Sequence, residues 1–146
     1  MSTRSFIGIK ENNGTIKAIY CHHDGYVSYV GAILNRYYVD SEKVEQLMEL
    51  GDLSVLGVNP TDGGWSCPKN FITNDEGFCS ECLAYRSRPE DDVDFREYKD
   101  EAEFLERVKA TWAEYAYLFT DGEGLVNDLC DGSEFTSLTA ELYRPE

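Results

Sequence analysis

The chain has 146 residues, 42% hydrophobic and 13% aromatic, which suits one domain with a buried core and excludes a disordered chain. Thirteen basic against 28 acidic side chains give a formal charge of −15. That balance disfavours direct binding to DNA or RNA, where phosphate contacts need lysine and arginine. No run approaches the about 18 apolar residues of a membrane span, and MSTRSFIGIK lacks the apolar centre of a secretory signal, so a cytoplasmic protein without membrane contact is expected.

The elements follow in chain order. Phe6, Ile7 and Ile9, then Asn13-Gly14, then Ile16, Ala18 and Tyr20 predict a β-hairpin, because Asn-Gly suits the φ > 0 positions of a tight turn. Asp24-Gly25 is expected to end it with a turn, the ordinary use of a strand-end Asp. Val30, Ile33, Leu34 and Tyr37 fall on one helical face. Asp40-Ser41 offers an N-cap to a second helix with stripe Val44, Leu47 and Met48, stopped by Gly51. LSVLG at 53–57 reads equally as a helical turn or an edge strand.

Residues 59–82 change character. NPTDGGW and ITNDEG are turn chemistry with few apolar anchors, so an irregular loop inserted into a single domain of residues 1–146 is expected. LAYRSR (83–88) predicts a strand, and PEDDVDFREYKDE an acidic connector. Asp100 and Glu103 form a capping pattern before a third helix with Phe104, Leu105, Val108 and Trp112 on one face. YAYLF (115–119), a DGEG turn and LVNDL (125–129) predict a second hairpin, and SEFTSLTAELYRPE adds a strand or packs on the surface. The sum is an α+β domain: a mostly antiparallel sheet from N- and C-terminal hairpins, with about three helices on one face.

The loop holds Cys67, Cys79 and Cys82. Cys79-Ser80-Glu81-Cys82 is a C-x-x-C knuckle, which turns two sulfurs toward one ion. A reducing compartment and an odd total of five cysteines favour metal over disulfides. Structural zinc takes four ligands, usually thiolate and imidazole, so one must come from elsewhere: Cys21, His22, His23 or Cys130. The two histidines are adjacent at a strand end and are expected to alternate faces, so at most one meets the loop. Cys21 and Cys130 otherwise read as half-buried small residues, since free cysteine packs as an apolar side chain. A catalytic zinc is disfavoured. Phe78, not proline, precedes Cys79, and His22-His23-Asp24 lacks the His-x-Glu of nucleobase deaminases. A redox C-x-x-C would open a helix, whereas Gly77-Phe78 reads as loop. The zinc is therefore expected to be structural, with its binding energy ordering a loop that has no core of its own.

TRSFIGI, CHHDGY (21–26) and GDLSVLG (51–57), with the aromatic WAEYAYLF segment, resemble a family of small acidic proteins encoded by phages and prophages. The resemblance covers most of the chain apart from the cysteine loop. Relatives carry an aromatic residue where His23 stands and lack the loop, which implies that His23 and the three cysteines form one zinc site. The chain looks like a zinc-containing anti-CRISPR protein acting on type II Cas9 in the host bacterial cytoplasm. It would be a non-enzymatic inhibitor whose partner is a basic, nucleic-acid-binding host protein.

Charge is compatible with that partner. Residues 1–89 carry 11 acidic and 8 basic side chains, and residues 90–146 carry 17 and 5, so the negative excess lies in the C-terminal part. The partner-binding patch is expected at Glu90, Asp91, Asp92, Asp94, Glu97, Asp100, Glu101 and Glu103, with carboxylates taking the place of phosphates. The competing expectations are a zinc-dependent enzyme acting on nucleotides or proteins, and a phage accessory protein without a host-defence target.

Overall fold

The computed structural model describes residues 3–23, 25–62, 81–84, 94–120, 122–130 and 135–142. Ser5–Lys10 (β1) and Ile16–Cys21 (β2) form the expected antiparallel hairpin, in register Lys10↔Ile16. The connection is longer than a two-residue turn. Gly14 takes φ 92° and Asn13 Oδ1 accepts from the Thr15 amide at 3.0 Å and hydroxyl at 2.7 Å. The asparagine side chain thus satisfies the backbone where the ladder stops.

A single π-helical turn, Val27–Gly31, runs directly into α1 (Ala32–Tyr37). Val30, Ile33 and Leu34 are buried as the helical spacing predicted. In α2 (Ser41–Leu50) the cap is as expected: Asp40 Oδ1 accepts from the Lys43 amide at 2.8 Å, and Gly51 ends the helix at φ 76°. Leu53–Val55 is strand β3. It lies inside the sheet, not at its edge.

The sequence expected irregular chain from 59 to 82, but Asn59–Asp62 is strand β4, paired in parallel with Glu81–Ala84 (β5). β4 ends the path of the sheet, a position that tolerates Pro60 because an outer strand can lack a donor. The expected connector contains a further strand, Arg96–Tyr98 (β6). Glu101–Lys109 (α3) is capped by Asp100, whose Oδ1 accepts from the Glu103 amide at 2.8 Å. Trp112 is not on that helix's buried face. It follows the helix at φ 65° and is 82% exposed. Tyr115–Thr120 (β7) and Glu123–Asp128 (β8) form the second hairpin, and the tail adds Thr136–Ser137 (β9) and Leu138–Leu142 (α4).

Among the described residues the strands form one sheet in the order β4-β5-β3-β2-β1-β7-β8-β9, with β6 also paired to β2. The sheet is mixed. β1/β7, β2/β3 and β4/β5 run parallel, and the hairpins and β2/β6, β3/β5 and β8/β9 run antiparallel. Nor do the helices share one face. Ile7, Ile9, Ile19, Tyr117 and Phe119 pack with α1, α2 and α4, whereas Phe6, Ile16, Ala18 and Leu118 pack beneath Phe104 and Val108 of α3. Both faces of β1 and β7 are apolar, so each must be covered.

β3 and β6 lie along the same edge of β2, and a break in the ladder falls between them. There Asp52 is 5% exposed. Its Oδ1 accepts from the Tyr20 amide at 2.9 Å, and its two oxygens take the Arg96 guanidinium at 2.9 and 2.8 Å. One carboxylate thus joins β2, β3 and β6 through charge-assisted bonds. Asp52→Ala should cost about 2–3 kcal/mol in urea unfolding. Arg96→Ala should cost less, because Arg96 is half in solvent and Asp52 keeps the Tyr20 amide. Equal costs would contradict this ordering.

Candidate functional site

Of the expected zinc ligands, Cys67 and Cys79 lie outside the described residues. Cys82 and His23 are described. Cys82 is fully buried in β5. Its Sγ accepts from the Gly57 amide at 3.2 Å and faces the Asn59 carbonyl at 3.4 Å. Gly57 has no room for a side chain, since a Cβ there would run into the Glu81 carbonyl group. Tyr38 closes the site, its hydroxyl donating to the Gly57 carbonyl at 2.9 Å. Burial, and then the proximity of Cys82, drive the Tyr38 pKa far above its ordinary value. The Lys43 ammonium sits 4.7 Å from the centre of the Tyr38 ring, over its face, and within electrostatic range of Cys82. Burial is the main influence on its pKa and lowers it.

This setting fits the chemistry of a zinc ligand. The thiolate is the metal-binding form: an amide donor on sulfur is suited to it, whereas the complete burial of Cys82 opposes it. The same amide donor, with the Asn59 carbonyl as acceptor, also satisfies a buried neutral thiol. His23 leaves β2 at the end of the sheet where the chain enters β5, since β2 and β3 are parallel and β3 and β5 antiparallel. β3 stands between them, which places the two backbones about 10 Å apart by strand spacing. Among the described residues, no three His, Cys, Asp or Glu side chains gather as a metal site.

The two histidines do not alternate faces. Consecutive amides of His22 and His23 both donate to β3, to Leu53 at 3.0 Å and Ser54 at 2.9 Å, so the pleat has already ended. Their rings meet edge to face at 4.6 Å. His22 Nδ1 is hydrogen-bonded to the Tyr20 hydroxyl at 2.6 Å. Burial, then the proximity of His23 and Arg4, lower the His22 pKa. Cys21 is buried, as expected for an apolar thiol, and its Sγ faces the His23 carbonyl at 3.6 Å. Cys130 is exposed, contrary to expectation, because it follows β8 in a surface turn held by Asp128. Asp24 lies outside the described residues.

In the expected acidic patch, Glu90, Asp91 and Asp92 lie outside the described residues. Asp94, Glu97 and Asp100 are exposed, and Glu101 and Glu103 are half-buried. Two of these carboxylates have structural work. Asp100 caps α3, and Glu103 Oε1 accepts from the Lys99 amide at 3.3 Å. Glu101 lies 3.9 Å from Lys10. Arg96, Lys99, Arg107 and Lys109 are interspersed, so this described stretch is a mixed surface, not a uniformly acidic one.

Compared with protein-family models, curated proteins and solved structures, the chain matches none of them.

Two features of these sites leave little mark in the sequence. In the sequence Gly57 is only the end of LSVLG, yet it is the contact point for Tyr38 and Cys82. Asp52 is only part of a motif there, and a carboxylate between Gly51 and a strand is the available signal. Tyr38→Phe should cost about 1–2 kcal/mol in urea unfolding, because the buried Gly57 carbonyl loses its donor. Tyr37→Phe, at a half-buried position, is the control and should cost less.

Proposed function

We propose that the chain is a phage-encoded, anti-CRISPR-type inhibitor that binds a basic surface of host Cas9 and blocks nucleic-acid binding or cleavage. The charge carries this reading: −15 overall, with 17 of 28 acidic side chains in residues 90–146. A protein with that field is steered to surfaces built to hold phosphates, and its carboxylates compete for the same lysines and arginines. The exposed Asp94, Glu97 and Asp100 support a role for the β6–α3 stretch, with Glu90, Asp91, Asp92, Glu101 and Glu103 completing the proposed contact.

The zinc belongs to the same proposal. Cys67, Cys79, Cys82 and His23 would hold it, and its chemistry is that of a structural cross-link. Cys82 contributes a sulfur already supplied with an amide donor, and His23 leaves β2 at the end of the sheet where β5 begins. The link would tie the inserted loop to the first hairpin.

Two measurements test these parts separately. Elemental analysis of purified protein should find one zinc per chain, lost in Cys67→Ser, Cys79→Ser and Cys82→Ser, and weakened more by His23→Ala than by His22→Ala. Metal-free wild-type protein would refute the site. In a Cas9 cleavage assay the wild type should inhibit. Neutralising Glu90, Asp91, Asp92, Asp94 and Glu97 together should weaken inhibition by about tenfold or more. Asp100 and Glu103 are left intact so that α3 keeps its cap. Unchanged inhibition would refute the electrostatic contact, and no inhibition by the wild type would refute the target.

A further inference from the structure

The described residues include four arginines, and three of them, Arg4, Arg96 and Arg107, line one open groove of about 610 Å³. The groove lies on the α3 face of the sheet, where Phe6, Tyr20 and Tyr98 supply aromatic walls. In a chain of charge −15 such a gathering of guanidinium groups is unexpected. Pairing among the described residues accounts for one of the three. Arg96 is held by Asp52, but Arg4 and Arg107 are exposed and form no ion pair among the described residues. Glu97 and Glu103 also line the groove, so with Asp52 held on Arg96 the charges balance, and the guanidinium groups of Arg4 and Arg107, unpaired among the described residues, are the ones open to a ligand anion.

The groove has the size of a small-molecule site. Guanidinium groups match the oxygens of a phosphate, and aromatic walls match a planar ring. Phe6 is buried and packs against Tyr20 with ring centroids 5.5 Å apart, which leaves the half-buried Tyr20 as the main ring surface open to a guest. The Tyr20 hydroxyl, bonded to His22, fixes a polar group at the same wall. The surroundings argue against an extended polyanion. Asp100 and Glu106, with Glu103, border the adjoining depression along α3 and would repel further phosphates.

We propose that this groove binds a mononucleotide-class ligand: a phosphate monoester, held by Arg4 and Arg107, that carries a planar ring resting on Tyr20, which Phe6 and Tyr98 back from the core. The site is separate from the zinc and shares Glu97 and Glu103 with the proposed Cas9 contact.

The test is titration of the full chain with adenosine monophosphate, inorganic phosphate and adenosine, read by calorimetry and by amide shifts of residues 4–6, 20 and 96–98. Saturable binding of the monophosphate is expected, at least about tenfold tighter than either inorganic phosphate or adenosine. Arg4→Ala and Arg107→Ala should each weaken it by about tenfold, with Arg107→Lys retaining part of the affinity. Both positions are exposed, so the fold, checked by circular dichroism, should survive. Absence of saturable binding would overturn the proposal. So would binding indifferent to both arginine variants, or inorganic phosphate binding as tightly as the nucleotide.

Discussion

Along the outer edge of β2 two strands share one row of backbone groups, β6 beside Ile16–Ala18 and β3 beside Cys21. Neither reaches Tyr20, so the ladder would leave its amide without a strand partner. Asp52 fills the gap with a carboxylate that accepts the Tyr20 amide and grips Arg96. An unpaired polar group there would carry the full cost of desolvation. With the gap filled, one edge can carry both strands, and the consequences reach either way along the sheet. Through β3 it sets β5 and the Gly57–Cys82 contact. Through β6 it brings the 94–98 segment beside α3 and places Arg96 in the groove.

How far this was legible in the sequence follows from the range of the interactions. Hairpins and helix caps are set by neighbours a few residues apart, and so Asn13-Gly14, Asp40, Gly51 and Asp100 announced their elements correctly. The parallel pairing of β1 with β7 joins residues more than 100 positions apart and leaves no local mark. The unbroken apolar runs FIGI and YAYLF nevertheless hold a usable signal: both faces of those strands are hydrophobic, which demands helices on both sides. Trp112 keeps the helical spacing of Phe104 and Val108 but lies past the end of α3, where the chain turns at positive φ. The histidine pair departs from alternation for a related reason, since it lies beyond the last regular residue of β2.

The chemistry was legible in part. Cys82 has an amide donor suited to a thiolate, a fact that depends on a glycine 25 residues earlier and on the closeness of two backbones. The acidic stretch reads as uniform in composition, yet in space it is threaded with Arg96, Lys99 and Arg107, and two of its carboxylates hold the start of α3. A docking surface here would be selective, not merely negative. It would need basic groups placed to meet Asp94 and Glu97 while avoiding the guanidinium groups beside them.

The functional account depends on this chain competing with nucleic acid for a basic protein surface. The direct measurement is its affinity for Cas9, taken with the nucleic-acid channel empty and filled, across a series of salt concentrations. The account predicts binding to the empty protein that weakens steeply with salt and is lost when nucleic acid occupies the channel. Equal, salt-indifferent affinity in both states, or no binding in either, would contradict it.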